Sequence, residues 1–378
     1  MDRHTGFPGR GGPAFAQCAA LLLLLATWCW SLPSASAEVV LTDATGHQVR
    51  LAAPAQRLLI DDGRYLLALA LIHPDPVGVV AAWPRDINRL GRGTFADYKA
   101  KFPAIESLRQ VASSAGSLSV EQVLAATPDL AVFSLGAQPS PEERAKIEAA
   151  GIPVVVIDFF THPAANLEPS LRLLGAATGR TAQAEAFLAF RRQRLDIISA
   201  KLAAAAVSRP SVFLEPHAGM TGDCCNSPGR GNVGDLIELV GGRNIGAAVI
   251  PRAFGKLNLE YVVTQDPDIY IATGGSHMEG TQGLLVGPDY DEARARATLA
   301  GVVARPGFAG LKAVREGRVY GLSHQLLNSP LDIVTVEVLA RWIHPELFAD
   351  LDAAATLAAI NERFLAVPVR GPFWVDLD

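Results

Sequence analysis

The feature that most constrains the fold of this chain is an internal repeat. Residues 121–132, EQVLAATPDLAV, match residues 260–271, EYVVTQDPDIYI, with Glu, Pro and Asp at corresponding places. In both copies a short helical segment starts at Glu and runs into Pro-Asp, then an apolar strand segment and a glycine-containing loop follow. Pro stops a helix and the following Asp opens the strand. Two copies of one supersecondary unit predict two lobes of similar plan.

Between the two copies lies one long predicted helix, residues 181–206. The stretch contains no Gly or Pro and is rich in strong helix formers. An apolar stripe at three- and four-residue spacing, interrupted once by Arg191, supports it; its members are Ala184, Leu188, Arg191, Leu195, Ile198 and Leu202. Thr181 is the expected N-cap, and Arg209-Pro210 ends the run. At about 1.5 Å per residue it would be roughly 39 Å long, so we interpret it as a strut between the lobes. The alternative is a long surface helix within one domain.

Strand and helix segments alternate on both sides of this helix. Such alternation is typical of α/β folds with mainly parallel sheets, and 378 residues are enough for two domains. We therefore expect two Rossmann-like lobes joined by a single long helix. The expected bounds are 38–162 for the N-terminal lobe, 163–207 for the connecting helices and 208–378 for the C-terminal lobe.

Residues 1–37 have the pattern of a secretory signal. Arg3 and Arg10 precede a short apolar core, and Ala35-Ser36-Ala37 resembles a cleavage site. The core is too short for a stable membrane span. We expect a soluble exported protein whose mature chain starts at Glu38 in the periplasm.

The mature chain keeps two adjacent cysteines, Cys224 and Cys225. They do not form a disulfide framework. A vicinal disulfide, simple packing and metal ligation all remain open, and an oxidising compartment makes metal ligation the weakest of the three.

Composition and motifs exclude some functions. The net charge of -5 argues against a nucleic-acid partner. The sequence has no GxSxG elbow, no P-loop and no HExxH, so catalysis has little support and we predict no catalytic residue.

Candidate ligand-binding residues are found by a rule for open α/β sheets, in which ligands bind beyond the carboxyl ends of the strands. Arg suits an anionic chelate, and aromatic rings suit a flat or aromatic ligand. The loops selected by this rule supply the predicted ligand-binding set Arg64, Tyr65, Trp83, Arg85, His217, Arg230, Asn232, His277 and His324.

Two motifs near these residues are weak. Residues 229–234 match GxGxxG, but the preceding strand is too distant for a dinucleotide site, so we expect at most an anion at a helix start beside Arg230 and Asn232. The eight His residues show no HxH or HxxxH spacing, so no compact metal site is predicted. A long-range set of His217, His277 and His324 stays open.

Taken together, several segments resemble one family. They are residues 118–121 (LSVE), 127–130 (TPDL), 150–155 (AGIPVV), 234–245 (GDLIELVGGRNI), 266–268 (DPD) and 311–320 (LKAVREGRVY). Through these segments the mature chain resembles the class III periplasmic substrate-binding proteins of ABC importers, which carry ferric siderophores, haem or cobalamin.

The resemblance implies a ligand cleft between two lobes joined by a rigid helix. It also implies that Glu121 and Glu260, one at the tip of each lobe, dock onto arginines of the ABC permease. Carboxylates at helix starts are stabilised there and can pair with Arg. The alternative is that each Glu serves only its own helix start.

The leading hypothesis is therefore a monomeric binding protein that captures an iron chelate, in the first instance a ferric siderophore, and needs no cofactor or protein-bound metal. Haem and cobalamin are alternatives, with Tyr65, Tyr98 or a His as a possible haem ligand. The rival from another class is an exported, metal-dependent two-domain enzyme with its active site between the lobes.

Overall fold

A computed structural model describes residues 38–112, 119–221 and 224–377, together with residues 1, 6 and 9. Contacts divide the chain into residues 1–38 and residues 39–378, and every element given below belongs to the second unit. The predicted signal segment 1–37 lies almost entirely outside the described residues. In the described part of the chain, no helix is both long enough and apolar enough to cross a membrane.

The N-terminal lobe opens on an antiparallel hairpin and continues into a parallel sheet. The hairpin pairs β1 (Val39–Thr42) with β2 (Gln48–Leu51), as its alternating sequence predicts. The sheet has the order β5-β4-β3-β6-β7. Its strands are β3 (Leu58–Ile60), β4 (Val80–Trp83), β5 (Arg109–Gln110), β6 (Leu130–Ser134) and β7 (Val154–Ile157). The helices of this lobe are α1 (Tyr65–Ile72), α2 (Ile87–Leu90), α3 (Arg92–Lys101), α4 (Val120–Ala126) and α5 (Pro141–Ala149).

Two helices connect the lobes. The first is α6 (Pro163–Ala177), and the second, α7 (Thr181–Ala204), is the predicted strut. With 24 residues, α7 is about 36 Å long. The prediction of Thr181 as N-cap is wrong: Arg180 occupies the cap position, without a side-chain cap, and Thr181 is the first helical residue. The reason is that Gly179 (φ 68°) already reverses the chain, so the helix starts directly after it.

The C-terminal lobe contains a second sheet of order β10-β8-β12-β13-β14, parallel except for β14. Its strands are β8 (Ser211–Glu215), β10 (Arg243–Asn244), β12 (Ile269–Gly274), β13 (Val319–Ser323) and β14 (Trp374–Asp376), and a separate antiparallel ribbon pairs β9 (Asn226–Pro228) with β11 (Phe254–Lys256). The helices are α8 (Val233–Leu239), α9 (Leu259–Gln265), α10 (Glu292–Val303), α11 (Lys312–Arg315), α12 (His324–Leu327), α13 (Asp332–Ile343) and α14 (Ala353–Arg363). The lobes have separate sheets, so the predicted α/β fold of two lobes is confirmed.

The internal repeat corresponds to the same local structure in both lobes. Helices α4 and α9 each have seven residues, and each begins at a side-chain cap, Ser119 in one lobe and Asn258 in the other. Each helix ends at a residue in the left-handed region, Thr127 (φ 45°) or Asp266 (φ 39°). The two sequence copies therefore encode the same capped helix and the same turn.

The Asp that opens the strand of each repeat also fixes the start of a neighbouring strand. In the N-terminal lobe, the Asp129 carboxylate accepts hydrogen bonds from the backbone N–H groups of Gln56 (2.7 Å) and Arg57 (2.9 Å), just before β3. In the C-terminal lobe, Asp268 accepts from the N–H of Ser211 (2.7 Å) at the start of β8. These N–H groups lie just before, or at, the first residue of a strand, and the carboxylates supply their acceptors.

The interruption in the apolar stripe of α7 has a structural explanation. Arg191 is buried, and its guanidinium holds the carboxylate of Asp332, at the start of α13, through two bonds: Nε to Oδ1 (2.9 Å) and Nη2 to Oδ2 (2.7 Å). The Asp332 side chain is fully buried. This ion pair ties the strut to the C-terminal lobe. Phe187 and Phe190 of α7 both pack on Phe364, which follows α14, at ring distances of 5.4 Å.

Replacing Arg191 by Met should lower the free energy of unfolding by about 3–5 kcal/mol, because Asp332 would keep a buried charge without a partner. Urea unfolding and the thermal midpoint of the mature protein measure this. The matched control is Arg192→Met on the same helix, whose bond to Glu168 is partly solvent-exposed and should contribute about 1 kcal/mol or less. Equal losses in the two variants would contradict the role given to the buried pair.

Candidate ligand-binding cleft

A cavity of about 560 Å³ lies between the two lobes. The N-terminal lobe lines it with the loops that follow β3, β6 and β7, and with Arg89 of α2. The C-terminal lobe lines it with the loops that follow β8, β12 and β13, and with Phe254 of β11. Because the strands are parallel, their carboxyl ends meet at one edge of each sheet, and the cavity lies where those two edges face each other.

On the cavity wall formed by the N-terminal lobe, two guanidinium groups bind the same carboxylate. Asp62 accepts from Arg64 Nε (2.9 Å), Arg64 Nη2 (2.6 Å) and Arg89 Nη1 (2.6 Å). Burial by itself would raise the pKa of the Asp62 carboxyl, but Arg64 and then Arg89 outweigh it and hold that pKa well below its usual range. Asp62 is therefore ionised and fixes both arginines at the cavity.

Beside this group lies a buried hydrogen-bonded chain. Asp61 accepts from the N–H (2.9 Å) and the Oγ (2.9 Å) of Ser134, and the Tyr65 hydroxyl is 2.7 Å from the same Oγ. Burial raises the pKa of Asp61 to about 7. The Tyr65 ring meets Phe159 edge to face at 5.7 Å. This chain holds Tyr65, which lines the cavity, in one orientation.

The wall from the C-terminal lobe brings three histidines together. His217 follows β8, His277 follows β12 and His324 follows β13. Ring centroids are 4.1 Å apart for His217 and His324, 4.8 Å for His217 and His277, and 5.6 Å for His277 and His324. The long-range histidine set left open by the sequence is thus a single cluster at the cavity.

Each ring of this histidine cluster uses a nitrogen for a bond within the protein. His217 Nδ1 and His277 Nε2 are 2.8 Å apart, and His324 Nδ1 is 2.7 Å from Thr273 Oγ1. Burial, helped by Arg64 and Arg89, lowers the pKa of His217 to about 4. Burial also lowers the pKa of His277 to about 4 and holds that of His324 well below its usual value. The imidazoles are therefore neutral at neutral pH. His217 lies in the left-handed region (φ 54°), which is uncommon for residues other than Gly.

Contacts between the lobes flank the cavity on two sides. On one side, Asn232 donates from Nδ2 to the carbonyl of Phe160 (2.6 Å) and from its N–H to that of Thr161 (2.8 Å). On this side Phe160 also meets Phe254 edge to face at 6.0 Å.

On the other side, Arg92 at the start of α3 forms two bonds to Glu279, of 2.6 and 2.7 Å. The Asp289 carboxylate accepts from the N–H groups of Arg92 (3.0 Å) and Gly93 (2.7 Å). A side chain of one lobe thus caps a helix of the other.

The structure places the predicted ligand-binding residues in different settings. Arg64, Tyr65, His217, His277 and His324 line the cavity, whereas Asn232 bridges the lobes beside it. The remaining three lie outside the cavity lining. Trp83 is fully buried against Phe95, at a ring distance of 6.0 Å; Arg85 donates to the carbonyl of Glu106; and Arg230 donates to the carbonyl of Ala247 (3.4 Å). Tyr98, a possible haem ligand from sequence, is buried with its hydroxyl on the carbonyl of Leu66 (2.9 Å).

Among the cavity residues that sequence reasoning missed are Arg89 and Phe254. Arg89 lies on α2, a four-residue helix in a segment that the rule for strand ends does not select. Phe254 lies on a three-residue strand whose partner, β9, is distant in the sequence. The Phe254 side chain is 56% exposed, and exposure is visible only in the folded chain.

Two other motifs noted in the sequence make bonds within the protein itself. The structure joins Cys224 and Cys225 in a disulfide, with Cys225 buried in the core of the C-terminal lobe, which removes thiolate ligation in this state. In the glycine-rich loop, the N–H of Gly231 donates to Asp235 (2.8 Å) and that of Asn232 donates to Thr161. The anion expected at this loop therefore has no donor from these two groups.

In the described ranges, no group of three or more His, Cys, Asp or Glu side chains could hold a metal ion by itself.

Residues 69–326 match the family profile described as "Periplasmic binding protein". The chain belongs to the periplasmic binding protein family. The resemblance to class III binding proteins of ABC importers is thereby confirmed. Members of this family are periplasmic solute-binding proteins that work with an ABC permease, and they are not enzymes, so the enzyme hypothesis is set aside.

Solved structures of similar fold come from several bacteria. FepB of Veillonella parvula, a TroA-like periplasmic binding protein, is 24% identical, with a TM-score of 0.80 over 90% of this chain and 100% of that chain. MolA of Haemophilus influenzae, bound to molybdate, is 16% identical, with a TM-score of 0.67 over 88% and 99% of the two chains. CeuE of Helicobacter pylori, in a Ni–His complex, is 18% identical, with a TM-score of 0.64 over 88% and 96%. No curated protein sequence matches this binding protein significantly.

The buried Asp61 should give a measurable pH dependence of stability. Its folded-state pKa of about 7 lies above the unfolded value of 3.8, so between these values the folded protein holds a proton that the unfolded chain has released. Stability from this group is therefore lost as the pH rises through that window. Relative to Asp61→Asn, the wild-type free energy of unfolding should fall by up to about 1.4 kcal/mol per pH unit between about pH 4 and 7, then level off.

Denaturant unfolding from pH 4.5 to 8.5 measures this difference. The matched control is Asp196→Asn on the exposed face of α7, which leaves Asp61 in place, so the fall in stability due to Asp61 should persist. A wild-type curve parallel to that of Asp61→Asn would show that Asp61 is ionised throughout.

Proposed function

We propose that this periplasmic binding protein captures a metal chelate, in the first instance a ferric siderophore, and delivers it to the permease of an ABC importer. The observation that carries the proposal is the composition of the cavity between the lobes. Two guanidinium groups and four aromatic rings besides the imidazoles line one space of about 560 Å³. In this proposal the chain is exported, cleaved after Ala37, and acts as a monomer.

Charge supports an anionic ligand. Arg64 and Arg89 share one carboxylate, Asp62, and Arg side chains bind carboxylate and catecholate oxygens well because of their planar N–H donors. The other carboxylate in the lining, Asp158, accepts from three backbone N–H groups and from Asn166. These bonds hold the charge of Asp158 within its own loop. We therefore attribute the charge that a ligand meets at the cavity wall to the two arginines.

Aromatic rings support a ligand with flat, apolar surface. Phe160 of one lobe and Phe254 of the other lie at the same side of the cavity, where they can cover an aromatic chelator. The similar structures bind small ions and chelates, molybdate in MolA and Ni–His in CeuE.

Haem or cobalamin is a second candidate ligand of the same cleft. The observation that favours haem is that Tyr65 and the histidine cluster line the cavity, and both residue types are axial ligands of haem iron.

The contact with the permease is proposed for Glu121 and Glu260. Both side chains are exposed, and both lie in the first turn of equivalent helices, α4 and α9, at corresponding places in the two lobes. Hydrogen bonding from its own backbone N–H and from Ser119 lowers the pKa of Glu121. An equivalent pair of carboxylates suits a partner with a pair of arginines.

Ferric siderophore complexes, haem and cobalamin should be titrated into the mature protein, with tryptophan fluorescence and thermal shift as readouts. We expect saturable binding of a ferric siderophore. Arg64→Met should weaken it about tenfold or more, the usual effect of losing one charge-assisted hydrogen bond.

Arg85→Met is the control for this titration. It removes the same charge from the same lobe but lies outside the cavity lining, so the affinity should not change. Binding of haem or cobalamin alone would transfer the proposal to that ligand, and failure of every chelate to bind would contradict it.

Glu121→Gln combined with Glu260→Gln should lower cellular uptake of the ligand by about tenfold or more, because charge pairs at an interface are lost. Affinity measured on the purified protein should stay unchanged, since both residues are remote from the cavity lining. Glu142→Gln, an exposed acid in the first turn of α5, is the control and should leave uptake intact. Uptake that survives the double substitution would contradict the docking role.

A further inference from the structure

The histidine cluster, defined as His217, His277 and His324, is placed by the topology of the C-terminal sheet. Strands β8, β12 and β13 are neighbours and parallel, so the residues that follow their carboxyl ends meet at one edge. All three side chains are partly buried and all three line the cavity. Three imidazoles thus share one wall of a cavity sized for a small molecule.

The hydrogen bonds of the cluster determine which nitrogens keep a lone pair for a ligand. In the pair formed by His217 and His277, one ring donates and the other accepts. Whichever ring donates keeps a lone pair on its second nitrogen, because a neutral imidazole has one N–H and one acceptor nitrogen. His324 is oriented by Thr273 Oγ1 through Nδ1, and with its proton on that nitrogen it keeps a lone pair on Nε2. A hydrogen bond on the far nitrogen is the arrangement that orients histidines bound to metals.

The nitrogens that keep a lone pair in this cluster are too few to hold a free metal ion. In the described ranges no group of three or more His, Cys, Asp or Glu side chains could hold a metal ion alone. The charges that act on His217 are those of Arg64 and Arg89 across the cavity. Their positive field opposes the entry of a free cation, but it attracts a metal that arrives inside a negatively charged chelator.

We propose that the cleft takes an anionic metal chelate with open coordination positions, and that His324 and one ring of the His217–His277 pair complete the coordination of its metal. The proposal rests on the proposed function and adds the class of chelate. Imidazole nitrogen suits iron, nickel, copper and zinc. The acidic groups of the chelator face Arg64 and Arg89.

Two anionic nickel chelates separate this proposal from its alternatives. The nitrilotriacetate complex of Ni²⁺ leaves positions open to water, whereas the ethylenediaminetetraacetate complex leaves none; free Ni²⁺ is the third probe. We expect the wild-type protein to bind the open complex about tenfold or more tightly than the closed one. The visible absorption band of nickel should shift as imidazole replaces water.

His217→Asn and His324→Gln should each remove the preference and the band shift. Asn is chosen at position 217 because it tolerates the left-handed backbone found there. His277→Gln is a further variant for the pair, and circular dichroism with the thermal midpoint shows that each variant is folded. His47→Gln, an exposed histidine of the hairpin outside the cavity lining, is the control and should behave as wild type.

Several results would overturn the inference. They are equal affinity for the open and closed complexes, a preference that survives in the histidine variants, binding of free Ni²⁺ as tight as that of the open complex, and no binding of the open complex at all. If ferric siderophores still bind in these cases, with the same affinity in wild type and histidine variants, the proposed function stands and only the role of the imidazoles fails. If no chelate of any kind binds, the proposed function fails as well.

Discussion

The separation of the two lobes is set by one unbroken helix and by the buried ion pair that anchors it. A continuous helix without Pro or a bulge resists bending, and α7 has neither in its 24 residues. The bond between Arg191 and Asp332 holds the C-terminal lobe against the helix, and Phe187 on the same face packs on Phe364. Helix α1 of the N-terminal lobe also contacts α7. Because the lobes are fixed in this way, the width of the space between them is a property of the scaffold.

Parallel strands turn this scaffold into a binding site. In each lobe the strands deliver the loops of one sheet edge to the same place, so residues that are far apart in sequence become neighbours. The N-terminal edge supplies ionised and aromatic groups, and the C-terminal edge supplies neutral imidazoles. The two walls therefore differ in chemistry although the lobes share a plan, which means that the repeat specifies the frame while the loops specify the ligand.

Much of the frame could be predicted from sequence because its signals are local. The helix propensity of α7, the repeat and the alternation of the opening hairpin each depend on residues close together in the chain. The elements that could not be predicted depend on contacts between distant residues, or lie in segments whose composition gives no clear pattern. Helix α3 lies in a polar stretch that gives no clear period, and β14 exists only because it pairs with β13.

The site could be predicted only in part, because some of its determinants are also non-local. The rule about strand ends selected five residues of the cavity lining, but it also selected Trp83, which the lobe buries, and Arg85, which turns to a backbone carbonyl. The sequence could name three histidines on three loops. That they form one cluster depends on which strands are neighbours, and one sequence does not contain that order.

The bonds of Asn232 to the carbonyls of Phe160 and Thr161, and those of Arg92 to Glu279, join the lobes on two sides of the cavity. If a cargo enters between the lobes on either of these sides, it has to displace the contacts there. Their opening would then be a step common to binding and release, and the rate of exchange would stop rising once that step limits it.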